Sequence, residues 1–307
     1  MIYTVTLNPS IDYIVFLDQY RPGELNRSTS TAKFAGGKGI NVSRVLKTLQ
    51  VPSIALGFIG GFPGRFIKNQ LENAGIETDF TEVNEDTRIN IKLKNEQETE
   101  INAAGPSISE AQFQSLLQRI QQTTPEDIVV LAGSVPSSLP QTTYEKIAKV
   151  VKQTGTQLVV DAEKGLMKGI LKYRPLFVKP NQHELEEMFE VKMSSDKEIV
   201  HYASRLLEEG AQAVLVSLGG EGAIYVDAQN AFKITAPKGE VINTVGAGDS
   251  TVAGMLAGNA SKLPIEQRLK LAIASGSATA FNDDLAELQA IQSLQSQVSV
   301  TPIHKEG

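Results

Sequence analysis

The stretch NTVGAGDSTVAGMLAG, residues 243–258, places two glycines and a carboxylate at the start of an alanine-rich helical pattern. The amino end of a helix carries unpaired N–H groups and the positive end of the helix dipole, so Gly246, Ala247 and Gly248 could hold an anion. Asp249 would be an unfavourable neighbour for that anion unless it has a chemical task, such as accepting the proton of an attacking hydroxyl. The alternative is that Asp249 only complements the dipole and that the later glycines allow close helix packing.

A second glycine-rich stretch, AGGKGIN at residues 35–41, also runs into a helical pattern. It is not a P-loop, because Ala32 stands where the first glycine of G-x-x-x-x-G-K-[ST] would be and Gly39 follows the lysine. Which phosphate Lys38 contacts, if any, stays open from these residues alone.

The segment KPNQHELEEM, residues 179–188, ends a predicted strand and starts a predicted helix. Asn181 and Glu184 are three residues apart and share one helix face, where an amide and a carboxylate could hold a hydrated Mg²⁺ ion. The same two residues also form the pattern of a capping box, in which Asn181 caps the helix and Glu184 bonds back to it. Taken alone, the pattern favours the cap.

Two further stretches contain candidate ligand contacts. VSLGGEGAIYV, residues 216–226, predicts a strand, a glycine turn and a second strand, and a tight hairpin is its simplest interpretation. Gly219 and Gly222 would also let a nucleotide lie flat against the backbone. Asp12 follows LNPSI near a predicted strand boundary, where a buried carboxylate could bond sugar hydroxyls and an exposed one would have no such role.

The composition is that of a globular enzyme, with 307 residues, 41% of them hydrophobic and 21% charged. A formal charge of -6 argues against nucleic acid as a partner, and no apolar run approaches the ~20 residues of a membrane helix. The chain has no cysteine and only three scattered histidines, so neither a disulfide nor a thiolate or histidine metal site is expected. These features, with no signal-peptide pattern at the start, favour a cytoplasmic protein.

Apolar runs rich in β-branched residues alternate with amphipathic stretches, which predicts a parallel sheet covered by helices on both faces. In such sheets ligands bind outside the carboxyl ends of the strands. Strands are predicted at 2–7, 53–59, 127–133, 157–162, 176–180 and 213–219. Helices are predicted near 40–50, 64–74, 109–122, 140–153, 182–189 and 196–209.

One region departs from this alternation. RINIKLK, residues 88–94, has Ile89, Ile91 and Leu93 on one face, and ETEIN follows across the polar turn NEQ. The pattern predicts a hairpin whose apolar face must cover something, since an isolated hairpin is only marginally stable. The hairpin could extend the main sheet at its edge, or it could be a lid that closes over a ligand or packs against a second subunit.

Together, AGGKGIN and NTVGAGDSTVAG resemble the paired signatures of ribokinase-like sugar kinases of the phosphofructokinase B type. Within that family TLNPSIDYIV, DTRINIKLK, AGSVPSSLP and KPNQHELEEMF are most similar to bacterial 1-phosphofructokinases, and tagatose-6-phosphate kinases are the nearest neighbours. The resemblance implies a three-layer α/β/α sandwich with a mainly parallel sheet. It further implies one kinase domain over residues 1–307, with a small β-sheet lid from excursions at about 12–36 and 87–104.

The activity implied by the resemblance is ATP-dependent phosphorylation of D-fructose 1-phosphate at O6, with Mg²⁺ as cofactor. The alternative is phosphorylation of tagatose 6-phosphate at O1. The partners are then a small phosphosugar and ATP, with no nucleic acid or membrane, and the expected assembly is a homodimer through the lid.

The same resemblance implies roles for individual residues. Asp249 would be the catalytic base, with the amides of Gly246, Ala247 and Gly248 as an anion hole, and Asn181 with Glu184 would place Mg²⁺. Asp12, Gly37 and Asn41 would bind sugar hydroxyls, and the candidates for the existing phosphate are Lys38, Arg88 and Arg27, the last supplied from a neighbouring subunit. Lys179, Asn181, Ser217, Gly219 and Gly222 would line the nucleotide side. Asn243 stands where the family usually has aspartate.

Overall fold

Eleven strands form the larger of two sheets in a computed structural model that describes residues 1–95, 98–162 and 164–304. In chain order, the first seven strands of this sheet are β1 (Ile2–Thr6), β4 (Ser53–Ile59), β5 (Glu77–Thr78), β6 (Thr81–Glu82), β9 (Ile128–Ala132), β10 (Gln157–Asp161) and β11 (Phe177–Val178). The other four are β12 (Ala213–Ser217), β13 (Gly222–Asp227), β14 (Ala231–Thr235) and β15 (Ser299–Pro302).

The strand order of this main sheet is β15-β14-β13-β12-β11-β10-β9-β1-β4-β5, with β6 beside β4. From β5 to β12 the neighbours are parallel, as the strand–helix alternation predicts. The β12–β13 hairpin around the glycine turn is confirmed, and β13, β14 and β15 are antiparallel to their neighbours. The sheet is therefore mainly parallel, with an antiparallel edge that the sequence patterns did not reveal beyond β13.

The smaller sheet has four strands, β2 (Ser10–Phe16), β3 (Ser30–Gly36), β7 (Arg88–Lys94) and β8 (Glu98–Ile101). Its order is β3-β2-β7-β8, and β2 runs parallel to β7 while the outer pairs are antiparallel. The predicted hairpin of β7 and β8 therefore belongs to a separate sheet and does not extend the main one. Residues 96 and 97 of its predicted turn lie outside the described residues.

Ten helices are described in the three ranges given above. The first five are α1 (Lys38–Thr48), α2 (Gly61–Asn73), α3 (Glu110–Ile120), α4 (Thr143–Thr154) and α5 (Lys164–Lys168). The others are α6 (Gln182–Phe189), α7 (Asp196–Glu208), α8 (Ala247–Ala260), α9 (Ile265–Ala280) and α10 (Leu288–Gln295). Within the same ranges, none of these helices combines the length and the hydropathy required to cross a bilayer.

Helices cover both faces of the main sheet, because successive residues of a buried strand point to opposite sides. In β9, Val129 and Leu131 enter a core with α3, α4 and α7, whereas Val130 and Ala132 enter a second core with α1, α8, α9 and α10. A third, smaller cluster joins α2 to β2 and β3. The result is the three-layer α/β/α sandwich, with the small sheet fixed at its root against α2.

Candidate active site

A cleft of about 520 Å³ lies between the two sheets, at the carboxyl ends of the main parallel strands. This is the edge at which parallel α/β sheets bind their ligands. The ends of β1, β10 and β12 and the first turns of α1, α6 and α8 form one side, and the inner face of the small sheet forms the other. We refer to these two sides as the main-sheet wall and the small-sheet wall.

Asp249 lies in the first turn of α8, facing this cleft. Gly246 caps the helix with φ of 79°, a conformation that glycine adopts without strain. Asn41 in α1 donates a hydrogen bond from Nδ2 to Asp249 Oδ2 at 2.8 Å. The side chain of Asp249 is thus held at the point where the first N–H groups of α8, which lack intrahelical partners, open into the cleft.

The position of Asp249 depends on the tight packing of α8 against α9. A Cβ at Gly254 would approach the Cα of Ala272 to 2.7 Å, so only glycine lets the two helices come this close. The packing interpretation of the later glycines is therefore confirmed. The anion site at the start of the helix stays a prediction.

Burial raises the pKa of Asp249, and the negative charge of nearby Asp161 raises it further, to about 6. The charges of Lys38 and Lys179 and the hydrogen bond from Asn41 oppose this rise in pKa. A carboxyl group with a pKa near 6 is ionised at neutral pH and is a stronger base than an ordinary aspartate.

Asp161 ends β10 and is buried beside the same site. Its Oδ1 lies 3.3 Å from Lys179 Nζ and its Oδ2 lies 3.5 Å from Lys38 Nζ. Burial alone would raise the pKa of Asp161. The two lysines have the larger, opposite effect and hold the pKa of this carboxyl below its ordinary value. Asp161 is therefore ionised over the range in which Asp249 titrates.

The first turn of α1 supplies two side chains to the cleft. Gly37 caps this helix with φ of 121°, and a Cβ there would lie 2.6 Å from Thr6 Cγ2, so the glycine allows α1 to start directly against β1. Lys38 and Asn41 follow three residues apart and both line the cleft. In this arrangement Lys38 contacts Asp161, and Asn41 contacts Asp249.

Asn181 and Glu184 form the capping box that the sequence favours. Asn181 Oδ1 accepts a hydrogen bond from the Glu184 N–H at 2.7 Å, and Glu184 Oε2 accepts one from the Asn181 N–H at 2.8 Å. Both side chains also line the cleft. No cluster of three or more Asp, Glu, His or Cys side chains with metal-binding geometry occurs among the residues described.

The small-sheet wall is polar and centres on Asp12. Asp12 Oδ1 accepts hydrogen bonds from Ser10 Oγ at 2.7 Å and from Asn90 Nδ2 at 3.2 Å. The buried Lys92 places Nζ 3.8 Å from Asp12 Oδ2 and 3.3 Å from Glu100 Oε1. Asp12 is thus fixed from three sides while it lines the cleft.

The orientation of β7 shows which face of the hairpin is turned to the cleft. Arg88, Asn90 and Lys92 face the cleft, and the amide and ammonium groups of Asn90 and Lys92 find partners on β2 and β8. On the apolar face, Ile89 packs against the cluster of α2, β2 and β3, while Ile91 is exposed. The apolar face is therefore not the one that closes over the cleft, and its packing against a second subunit stays a prediction.

Arg88 connects the small sheet to its two points of attachment. Its Nη1 donates to the Ala103 carbonyl and its Nη2 to the Asn8 carbonyl, each at 3.0 Å. The buried Nε of Arg88 and the Oδ1 of Asn8 have no hydrogen-bond partner among the described residues. Arg88 therefore anchors the root of the small sheet, and its unpaired Nε is buried.

The structure brings most of the predicted site residues together in the cleft lining. Four lie outside it: Ala247, Gly219, Gly222 and Arg27. The N–H of Ala247 donates to the Thr244 carbonyl at 3.3 Å. Gly219 and Gly222 form the turn of the β12–β13 hairpin, although Ser217 just before it does line the cleft. Arg27 lies in the segment between β2 and β3.

Several residues that line the cleft were given no role from the sequence. Among them, Asn8, Ser134 and Asp161 follow or end predicted strands, and this position is a signal that could have assigned them. Asn90, Lys92 and Glu100 lie on the hairpin, where alternation identifies two faces but does not tell which one faces the ligand.

Comparison with known proteins agrees with this geometry. The pfkB family of carbohydrate kinases matches residues 5–287. The chain belongs to this family. The ribokinase-like fold expected from the paired glycine signatures is thus confirmed, and the protein is a phosphotransferase that acts on the hydroxyl group of a carbohydrate.

Three PfkB relatives illustrate the similarity. A 1-phosphofructokinase of Bacillus subtilis is 50% identical over 301 residues, which are 98% of this chain and 99% of the relative. A tagatose-6-phosphate kinase of Staphylococcus epidermidis is 36% identical over 295 residues, 94% of each chain. A protein of Staphylococcus aureus, solved as a candidate phosphofructokinase, is 58% identical and superposes with a TM-score of 0.91 over 100% of both chains.

Proposed function

We propose that this PfkB kinase transfers the γ-phosphoryl group of ATP to O6 of D-fructose 1-phosphate, giving fructose 1,6-bisphosphate. The observation that carries the proposal is Asp249, a buried carboxylate fixed by Asn41 at the amino end of α8. The similarity to a 1-phosphofructokinase over nearly the whole chain supports the choice of substrate.

In this reaction Asp249 is the base that takes the proton of the attacking O6 hydroxyl. The pKa of about 6 keeps Asp249 ionised at neutral pH, and the hydrogen bond from Asn41 leaves one carboxylate oxygen free to face the acceptor. The amides of Gly246 and Gly248 stabilise the charge that develops on the transferred phosphoryl group. Ala247 contributes the same way once its weak bond to Thr244 is released.

The existing phosphate of the sugar binds near Lys38 and Arg88, which both line the cleft. Asp12, Gly37 and Asn41 contact the sugar hydroxyls. Basic side chains in a cleft of an acidic protein favour a small dianion over a polymer. Arg27 stays a prediction for a contribution from a neighbouring subunit.

Lys179 and Ser217 line the nucleotide side of the cleft, with Gly219 and Gly222 in the turn beside them. Asn181 and Glu184 fit a hydrated Mg²⁺ ion, because both line the cleft, an amide and a carboxylate are oxygen ligands, and a Mg²⁺ ion needs few protein ligands. When bound, the ion neutralises charge on the ATP phosphates. The capping box orients both side chains before any ligand arrives.

We further propose that residues 1–307 form one kinase domain and that the excursions at about 12–36 and 87–104 form a lid. Closure of this lid over the sugar brings Asp12 onto the substrate and excludes water, which limits hydrolysis of ATP. Because the donor is ATP, we place the enzyme in the cytoplasm.

The outer face of the lid supports a homodimer. Ile91 and Ile101 are directly paired across β7 and β8, and Ile101 is 54% exposed. An exposed apolar pair on a sheet is a contact surface for another copy of the same sheet. Sedimentation of the wild type and of Ile91→Ser tests this: we expect a dimer that the substitution weakens, and a monomeric wild type would contradict it.

Tagatose 6-phosphate is the second candidate substrate, phosphorylated at O1, and the similarity to a tagatose-6-phosphate kinase favours it. Both reactions give ketohexose bisphosphates, so one cleft can hold either sugar in opposite orientations.

The deciding experiment compares kcat/KM for fructose 1-phosphate, tagatose 6-phosphate and fructose 6-phosphate with ATP, using Asp249→Asn as the inactive control. We expect the highest value for fructose 1-phosphate. A higher value for tagatose 6-phosphate would establish the alternative, and no turnover of any of the three would refute the proposed function.

A further inference from the structure

Asp161 occupies a position that the proposed reaction does not explain. Its side chain is only 3% exposed, and each of its two oxygens faces a different lysine. Lys38 comes from the start of α1, and Lys179 follows β11. The two lysines are far apart in sequence, and the carboxylate of Asp161 is the group that they share.

Lys179 extends from Asp161 toward the amino end of α8. A Cβ at Gly248 would lie 3.2 Å from Lys179 Nζ, so the ammonium group rests against the backbone that offers the anion hole. On the other side, the stem of Lys38 packs at Gly133, where a Cβ would lie 3.6 Å from Lys38 Cβ. The two ammonium groups thus approach different oxygens of Asp161, and that of Lys179 lies against the start of α8.

Stability alone gives little reason for this arrangement. A buried ion pair gains about as much from Coulomb attraction as it loses by desolvation, so replacing it with apolar side chains is often neutral. Without the shared carboxylate the two lysines would repel each other and would have no fixed positions, although both positive charges would stay in the cleft. The shared carboxylate therefore determines where two positive charges stand in the cleft.

We propose that Asp161 is a positioning residue that holds Lys38 beside the phosphosugar and Lys179 beside the transferred phosphoryl group. The inference rests on the proposed function, in which these lysines bind the two substrates. With the lysines already oriented, the enzyme does not need to order two long side chains during each turnover.

Asp161 also belongs to the group of charges around the base. Lys38 and Asn41 face Asp249 from α1, Asp161 faces it from β10, and Lys179 faces it from the segment after β11. Glu184 in α6 acts on Lys38, and Arg88, Lys92, Asp12 and Glu100 line the cleft from the small sheet. The negative charge of Asp161 raises the pKa of Asp249, and the two lysines lower it. When the charge of Asp161 is removed, the effect of the lysines remains, so the pKa of Asp249 falls.

The test is the substitution Asp161→Asn, assayed with ATP and fructose 1-phosphate across pH 5 to 8. We expect kcat to fall on the order of 100-fold, because the lysines lose their positions. We expect KM to rise for both substrates and the acid limb of kcat/KM to move to lower pH than in the wild type. A loss of kcat with the acid limb unchanged would overturn the proposal.

Asp127→Asn is the matched control. Asp127 is also a buried aspartate, directly before β9, and is paired with a cation, the amino terminus of Met1 at 2.7 Å, but it lies outside the cleft lining. This variant should lose stability and keep the kcat and acid limb of the wild type. If it reproduces the kinetic changes of Asp161→Asn, those changes reflect general destabilisation and the proposal is wrong.

Asp161→Glu serves as a second variant in case Asp161→Asn does not fold. It keeps the charge and moves the carboxylate, so we expect a lower kcat with the acid limb unchanged, and full activity would overturn the proposal.

A measurement that needs no substrate separates this inference from the proposed function. The titration of the Asp249 carboxyl carbon, followed by ¹³C NMR in the ligand-free protein, should move to lower pH in Asp161→Asn. An unchanged titration would overturn the role of Asp161. A wild type that does not phosphorylate fructose 1-phosphate would refute the proposed function, and the titration would still report on the charge arrangement.

Discussion

The two walls of the cleft differ in where they carry their charged side chains. The main-sheet wall carries buried charges at the ends of parallel strands and the starts of helices, and Asp161 and Lys179 there are 3% and 6% exposed. The small-sheet wall carries its charges on one face of a twisted ribbon whose opposite face, at Ile91 and Ile101, meets solvent. Under the proposed function, the main-sheet wall performs the chemistry and the small-sheet wall selects and covers the sugar.

The largest effect should come from the base on the main-sheet wall. Asp249→Asn keeps the shape of the side chain and removes proton acceptance, which contributes typically 10²–10⁴-fold to such reactions. We expect kcat to fall by roughly 10³-fold, while the dissociation constant of the phosphosugar changes only a few-fold. Steady-state kinetics and calorimetry measure the two quantities, and a variant with near-normal kcat would exclude Asp249 as the base.

The same substitution should stabilise the protein. The pKa of Asp249 is about 6 in the folded state and near its ordinary value of 3.8 in the unfolded chain. The folded state therefore binds the proton more tightly, and this group reduces stability progressively as pH rises from about 4 to 6. Above that window the cost is roughly 3 kcal/mol, from about 1.4 kcal/mol per pKa unit.

Asp249→Asn removes this cost, so its free energy of unfolding at pH 7 should exceed that of the wild type by up to about 3 kcal/mol. The difference should shrink as pH falls toward 4. Urea unfolding of both proteins at pH 7 and pH 4 measures this difference. Equal stability at pH 7 would show that folding does not disfavour the ionised carboxylate of Asp249.

Lys38→Ala should have the next largest effect and should act mainly on the phosphosugar. Hydrogen bonds to charged groups contribute about 1.5–3 kcal/mol, so KM for the sugar should rise on the order of 10- to 100-fold. KM for ATP should change much less. Arg88→Ala should also raise the sugar KM, and equal effects on both substrates would contradict the assignment of these cations to the sugar phosphate.

Lys92→Met on the small-sheet wall should have the smallest effect. It removes the charge that fixes Asp12 but keeps the apolar stem of the side chain. We expect a loss of several-fold in kcat/KM for the sugar, about 1 kcal/mol, with the KM for ATP unchanged. Substrate titrations at fixed ATP measure the loss, and an effect as large as that of Lys38→Ala would mean that Lys92 binds the phosphate directly and does not act through Asp12.

The two walls also differ in how far the sequence predicts them. Strand ends and helix starts of the main-sheet wall follow from local patterns, because apolar runs define the strands and glycines mark the turns, as at Gly37 and Gly246. Local patterns do not predict which distant segments of the chain come into contact. The sharing of Asp161 by Lys38 and Lys179 depends on strand order, which no short stretch of sequence contains.

On the small-sheet wall the alternation of β7 predicts a hairpin and its two faces. It does not tell which face is inward, because the partners of Asn90 and Lys92 lie on β2 and β8. Polar contacts across the ribbon turn Asn90 and Lys92 toward the cleft, and cover for the exposed part of the apolar face by a second subunit stays a prediction. The antiparallel edge strands β14 and β15 escaped prediction because short strands give little periodic signal.

The most direct test of the central claim is the single-turnover rate of phosphoryl transfer from ATP to fructose 1-phosphate in the wild type, measured from pH 5 to 8. Because the base must be ionised, we predict a plateau above about pH 6 and a tenfold loss per pH unit below it. Asp249→Asn should be slow and independent of pH over this range. A flat wild-type profile, or an acid limb near pH 6 that persists in Asp249→Asn, would contradict the assignment of proton transfer to Asp249.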